Sequence, residues 1–166
     1  MLRKAYPEDM KHVHKIINAA ASKGEMLPRS LAELYENLRD FVVYVRNGKI
    51  IGTGALHICW EDLAEIRSVC VVRRWRRSGI GSEIVNYLVR EALELRIKRI
   101  FLLTYQEEFF KSLGFRTVDK KELPQKIWTE CVRCPKFPNC DEKAMLMELG
   151  GDHGIGKDKK RSGKKV

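Results

Sequence analysis

Ten consecutive residues, Arg73-Arg74-Trp75-Arg76-Arg77-Ser78-Gly79-Ile80-Gly81-Ser82, carry the clearest chemical signal in the chain. Four arginines fill the five positions 73–77, and two glycines stand one residue apart at 79 and 81. An apolar run, Val69-Cys70-Val71-Val72, leads in, and a helical pattern begins at once behind the glycines. Free backbone N–H groups at a helix start, backed by cations, make a cradle for phosphate. Spacing separates the phosphates such a cradle could take. A P-loop needs a longer glycine spacing that closes on Gly-Lys-Ser/Thr. A dinucleotide fingerprint needs a third glycine, where Ile84 stands, and a place in the first βαβ turn. Neither pattern is here. What remains is a pyrophosphate on the backbone of Gly79, Ile80, Gly81 and Ser82, with Ser78 beside it and Arg76 and Arg77 neutralising it.

The elements that must hold this loop read as follows. Met1–Ala5 is an edge strand. Tyr6-Pro7-Glu8-Asp9 starts a helix, with Pro early and acids in the first turn. Met10, Val13, Ile16, Ile17 and Ala20 give its apolar face, and Gly24 ends it. Ser30 caps a second helix, with Glu33 at the capping-box position and Leu31, Leu34, Tyr35 and Leu38 inward. The period then changes to that of strands. Phe41–Val45 and Lys49–Trp60 flank Asn47-Gly48, a type I′ hairpin signal. Gly52 and Gly54 inside the return strand suggest a bulge or close packing. Leu63–Val72 is a third consecutive strand. Behind the glycine loop, Ile80, Ile84, Val85, Leu88, Ala92 and Leu95 form an amphipathic helix. Ile100–Leu103 is a buried-type strand, so strand, helix and strand imply a parallel βαβ unit. Glu107–Leu113 is a short helix stopped by Gly114, Phe115–Val118 a strand, and Ala144–Leu149 a last strand.

Residues 1–149 read as one domain, with a cysteine-bearing insertion at 123–142 and a basic, solvated tail at 150–166. The chain has 166 residues, 44% of them hydrophobic, which suffices for a core, and a net charge of +10. About half of that excess sits in the tail from Lys157, so nucleic acid is only weakly signalled as a partner. There is no apolar run long enough to span a membrane and no apolar stretch of signal-peptide type at the N-terminus. Five cysteines without an export signal indicate reduced thiols, and a cytoplasmic protein is expected.

The motif Arg76-Arg77-Ser78-Gly79-Ile80-Gly81 resembles the Arg/Gln-x-x-Gly-x-Gly/Ala motif of the GNAT acetyltransferase superfamily. Phe109-Phe110-Lys111-Ser112-Leu113-Gly114-Phe115 is similar to that family's later "LGF" motif. The element order agrees: strand, two helices, three-strand meander, helix, strand, helix, strand. The resemblance implies an α/β fold with a mixed central sheet splayed between its two middle strands and flanked by helices. It implies acetyl-CoA as co-substrate, its pyrophosphate on the loop. The pantetheine would pair with the backbone of Val69, Cys70 and Val71.

Acetyl transfer to an amine requires a base for the ammonium, polarisation of the thioester carbonyl and a proton for the leaving thiolate. Glu65, in the family's usual place, is the candidate base, directly or through water; Glu61 and Asp62 are weaker alternatives. Alternation puts Glu65, Arg67 and Val69 on one face and Ile66, Ser68 and Cys70 on the other, unless a bulge intervenes. Phe110, expected beside the cofactor, stands where many family members have Tyr, and it cannot donate a proton. Tyr105 is the candidate acid, with water or backbone as the alternative. Cys70 reads as a small buried hydrophobe.

Met26-Leu27-Pro28-Arg29-Ser30, Ala64-Glu65-Ile66-Arg67-Ser68 and the segment from Leu123 to Glu142 resemble the short, stand-alone N-acetylglutamate synthases of arginine biosynthesis. The acceptor implied is the α-amine of glutamate, whose two carboxylates suit arginine. Arg29 is the best clamp by resemblance; Ser68, Arg67, Lys126 and Arg133 are further candidates. Control by arginine through an amino-acid-kinase domain is not expected. A homodimer is compatible with the sequence and not specified by it. Cys131, Cys134 and Cys140, with Asp141 or a His, could hold zinc, but one C-x-x-C knuckle falls short of the two a zinc site usually shows, and zinc is not favoured. A protein or peptide amine is the second acceptor reading, and a non-catalytic anion-binding or nucleic-acid-binding module the third.

Overall fold

The chain builds a seven-stranded mixed sheet whose order is β1-β2-β3-β4-β5-β7-β6. A computed structural model describes residues 1–124 and 140–150. In chain order the elements are β1 (Leu2–Lys4), α1 (Met10–Ala21), α2 (Leu31–Glu36), β2 (Phe41–Arg46), β3 (Lys49–Trp60), β4 (Leu63–Val71), α3 (Ile80–Glu94), β5 (Arg99–Thr104), α4 (Glu107–Ser112), β6 (Arg116–Val118) and β7 (Lys143–Glu148). Short 3-10 turns precede α1 at 7–9, follow α2 at 38–40 and follow β4 at 73–75. Among the described residues no helix is long and apolar enough to cross a membrane.

Local chemistry sets these boundaries. Ser30 Oγ accepts the Glu33 N–H at 3.1 Å and starts α2. Asn47 and Gly48 have φ of 50° and 70°, the pair of left-handed residues that a type I′ turn demands. Arg3 of β1 grips Asp9 ahead of α1 at 2.6 and 3.1 Å, and the Asp9 carboxylate also accepts the Tyr6 N–H at 2.7 Å. Asp9 is buried, and the hydrogen bond from Arg3 holds its carboxyl below the usual range. A carboxyl depressed on folding adds stability that is present above the unfolded value, about 4, and lost on acidification. Asp9→Asn should therefore lower the melting temperature at neutral pH, at a cost of about 1–3 kcal/mol. The gap between it and wild type should close as pH falls below about 4.

Two layers of helix cover the sheet. On one face Met10, Val13, Ile17 and Leu34 meet Phe41, Val43 and Ala55. On the other, Ile80, Ile84, Val85, Leu88 and Ala92 of α3 meet Val42, Leu56, Ala64, Ile66, Ile100 and Leu102. Gly52 and Gly54 let α3 approach β3 closely. A Cβ on Gly54 would lie 2.7 Å from Ile84 Cγ2 and 3.2 Å from Leu88 Cδ1. Both neighbours are fully buried, so Gly54→Ala is expected to cost about 1–3 kcal/mol through overpacking. Thermal unfolding should read this as a fall of a few degrees per kcal/mol.

Two features decide where a ligand can enter. First, β4 and β5 pair in parallel only at Leu63–Arg99, Ala64–Ile100 and Glu65–Phe101. Beyond Glu65 the strands part, while β5 stays fully paired with β7 on its other edge. Second, the alternation expected along β4 does not run through. Thr53 pairs with Cys70 but Ala55 pairs with Arg67, so Gly54 faces two residues of β4. Ser68 takes the slack with φ of 57°. Val69 is thereby turned onto the α3 face with Ile66, and Cys70 joins the side of Glu65 and Arg67, its Sγ 3.8 Å from Ile16 O in α1.

Candidate active site

The loop behind β4 has the form of an anion cradle. Val72 N–H bonds to Ile51 O, the 3-10 turn follows, and Arg77 (φ 61°) and Gly79 (φ 86°) swing the chain into α3. A non-glycine residue at positive φ is held there by its surroundings. Glu83 N–H is the first to bond back, to Gly79 O at 3.0 Å. The N–H groups of Ile80, Gly81 and Ser82 ahead of it belong to the unpaired first turn of the helix. Ser78 Oγ donates to Trp75 O and fixes the loop's bend. Gly81 is needed for a different reason. A Cβ there would stand 3.2 Å from Phe109 Cζ, so α4 packs directly on the start of α3.

The arginines divide. Arg77 is exposed on the loop. Arg74 stacks on Trp75 at 5.3 Å, with Arg46 at 4.5 Å from the same ring. Arg76 does not stand free beside Arg77 as expected. It forms a two-pronged pair with Glu25 at 2.6 and 3.2 Å, and its Nε donates to Val71 O at 3.0 Å. The hydrogen bonds between Arg76 and Glu25 hold the Glu25 carboxyl below its ordinary range and raise the Arg76 guanidinium. A cation facing an exposed carboxylate in water can exchange it for another anion at modest cost.

The cofactor strand and its neighbours are also placed. Val69 and Val71 pack on the α3 side, half-buried. Cys70 is 7% exposed, and burial pushes its thiol up, which suits a packing role over a nucleophile. Phe110 differs from expectation. It is 6% exposed in the core, edge-on to Phe109 at 4.9 Å and to Phe115 at 5.7 Å. Phe109 is the ring that reaches the glycine loop. Tyr105, past the end of β5, donates its hydroxyl to Asp141 Oδ1 at 2.7 Å.

A second concavity lies between α2 and the face of β3 and β4. It is a shallow, solvent-open groove rather than an enclosed cavity, and Arg29, Glu33, Leu34, Asp40, Arg67 and Ser68 are among its walls. Three residues singled out for the acceptor, Arg29, Arg67 and Ser68, thus meet around one pocket. Asn18 explains why Arg29 is fixed there, a role that no sequence pattern signals. Its side-chain amide donates to Arg29 O at 2.9 Å and its oxygen accepts the Arg29 N–H at 3.3 Å. Glu65 stands on the same face, at the last paired position before the strands part. Its Oε2 is 3.2 Å from Arg67 Nη2, and both side chains are largely buried. Opposite Glu65 in the ladder is His57, whose Nδ1 lies 2.7 Å from Asp40 Oδ2. The sequence reading did not single out either of these two.

Lys126, Arg133, Cys131 and Cys134 lie outside the described residues. Cys140 is half-buried, and its carbonyl accepts from Lys120 Nζ at 2.7 Å. Among the described residues no three metal-ligating side chains gather.

Residues 8–115 match the Acetyltransferase (GNAT) family. An uncharacterised N-acetyltransferase of Chlorobaculum tepidum is 37% identical over 148 residues, 89% of this chain and 96% of that protein. The amino-acid acetyltransferase of Mycobacterium tuberculosis is 34% identical over 136 residues, 80% of this chain and 78% of that protein. A crystal structure of a Mycobacterium tuberculosis protein in complex with CoA superposes with a TM-score of 0.79 at 31% identity, covering 90% of this chain and 99% of that one.

Proposed function

The chain belongs to the GNAT acetyltransferase family, and from that premise we propose that it acetylates the α-amine of L-glutamate. The enzyme is an acetyl-CoA-dependent N-acetyltransferase. Glutamate as acceptor is carried by one observation: Arg29, Arg67 and Ser68 wall a single pocket beside Glu65. Two guanidinium groups on one cleft suit a substrate with two carboxylates. The amino-acid acetyltransferase activity named for the mycobacterial relative supports the same class of acceptor. In this reading the product serves arginine biosynthesis.

The residues then take the following parts. The backbone of Gly79–Ser82, with Arg77 and Ser78, receives the pyrophosphate of acetyl-CoA. The free edge of β4 at Val69–Val71 receives its pantetheine arm. Arg76 leaves Glu25 for the phosphates as they arrive. Arg29 and Arg67 orient glutamate so that its amine lies by Glu65, which takes a proton from the ammonium. The lone pair so exposed attacks the thioester carbonyl. As the C–S bond breaks, the thiolate takes a proton from Tyr105 or from water, and the second proton lost by the nitrogen replaces it.

A thiol-release assay with acetyl-CoA against amino acids, polyamines and peptides tests this reading. Glutamate should lead the panel. A preference for peptides with no turnover of free glutamate would overturn the acceptor and leave the donor site standing.

A further inference from the structure

We propose that Asp40 and His57 form the outlet for the proton that the acceptor amine releases, with His57 relieving Glu65 of it. The inference rests on the reading that Glu65 receives that proton. Joining an ammonium to an acetyl group removes two protons from nitrogen as the N–C bond forms and the C–S bond breaks. One ends on the thiol. The other must leave the pocket before Glu65 can act again. Arg67, 3.2 Å from Glu65, is a permanent cation and accepts nothing.

His57 is the acceptor on the other side. It is the ladder partner of Glu65. Direct antiparallel partners put their side chains on one face, with Cβ atoms about 5 Å apart. Its Nδ1 faces Asp40 Oδ2 at 2.7 Å. With Nδ1–H given to Asp40, Nε2 carries the lone pair, and imidazole loads and unloads protons near neutrality. Asp40 both fixes that tautomer and stabilises the imidazolium while it lasts. Both side chains are about three-quarters covered, at 26% and 23% exposure, and Asp40 is itself a wall of the pocket, so the pair links that pocket to solvent. Among the described residues the charged and titratable groups placed beside His57 are Asp40 from the turn after α2, Glu65 of β4 with its partner Arg67, and Cys59 on its own strand, whose Sγ is 3.6 Å from His57 O, while Arg29 and Glu33 share the pocket with Asp40.

His57 acts through Glu65, so the test is a pH profile. It is run on glutamate, or on whichever amine the wild type acetylates, so that failure of the glutamate reading is seen separately. Wild-type kcat should rise with pH through one near-neutral limb. His57→Gln should abolish that limb and lower neutral-pH kcat by roughly 10- to 100-fold, with both KM values little changed. Asp40→Asn should keep the limb and move it to lower pH. Added imidazole should restore part of the rate to His57→Gly. A limb that survives in His57→Gln, or a wild-type profile without one, overturns the proposal, because a purely structural His57 would scale the whole curve. If His57→Gln does not fold, His57→Asn takes its place, and a near-neutral limb that survives in it overturns the relay.

Discussion

Glu65→Gln is expected to lower kcat for acetyl transfer by roughly 10²–10⁴-fold, the range for loss of a positioned general base. Both KM values should change little, because the lost interaction belongs to proton transfer and not to ground-state binding. Glu65 sits where β4 and β5 last touch, at the vertex of the gap between them. A side chain there lies beside Arg67, a wall of the pocket proposed for the acceptor. Gln keeps the size of the group and an oxygen for Arg67, so the pair at 3.2 Å survives as a weaker contact. What Gln cannot do is accept a proton. The melting temperature is measured alongside, since Arg67 is only 12% exposed and depends on its partner. A folded Glu65→Gln enzyme with wild-type kcat would remove Glu65 from the chemistry.

Arg29→Ala should raise the KM for glutamate by roughly 10- to 100-fold, the worth of one charge-assisted hydrogen bond. The KM for acetyl-CoA should stay where it is, because Arg29 borders the pocket proposed for the acceptor and not the glycine loop. Among the described residues its ion-pair partner is Glu33, 3.7 Å away on the helix it precedes and half-exposed, a contact that costs little to exchange. Asn18 holds the Arg29 backbone through two hydrogen bonds, so Ala leaves the chain in place and removes the guanidinium alone. Arg29→Lys should recover part of the affinity, since lysine keeps the charge and loses the planar fork. An unchanged glutamate KM in Arg29→Ala would show that the clamp lies elsewhere.

The loop proposed for the donor could be picked out of the sequence because its features are local. A glycine pair, an arginine run and a helix start are neighbours in the chain, and neighbours in sequence need no tertiary information to meet. The hairpin at Asn47-Gly48 and the cap at Ser30 were legible for the same reason. Gly54 hinted at a bulge, but its place at Ser68 on the partner strand could not be read. Nothing in Ala64-Glu65-Ile66-Arg67-Ser68 announces a positive φ, and the slip comes from fitting β4 to β3 around Gly54. The partner of Arg76 was hidden because Glu25 comes from the loop after α1, 51 residues away. His57 and Asp40 were missed because counting back from the Glu61-Asp62 turn misplaces the ladder. The register shifts between Ile58 and Trp60, and only that shift sets His57 opposite Glu65. Asn18 binds a backbone rather than a side chain, a kind of contact that leaves no mark in residue type.

The position of β7 has a consequence for how the protein is made. Lys143–Glu148 is the last strand described in the chain, yet it lies inside the sheet between β5 and β6. During synthesis β5 emerges with Ile100, Phe101 and Leu102, all buried in the finished fold, and nothing to cover its second edge. At roughly 5–20 residues per second the wait lasts seconds, long beside the time of collapse. An apolar edge left open that long is a template for pairing with other chains. Translation that stops anywhere short of Lys143 should therefore yield aggregates rather than a slower enzyme, and nascent chains of this protein should be clients for a chaperone that shields β5.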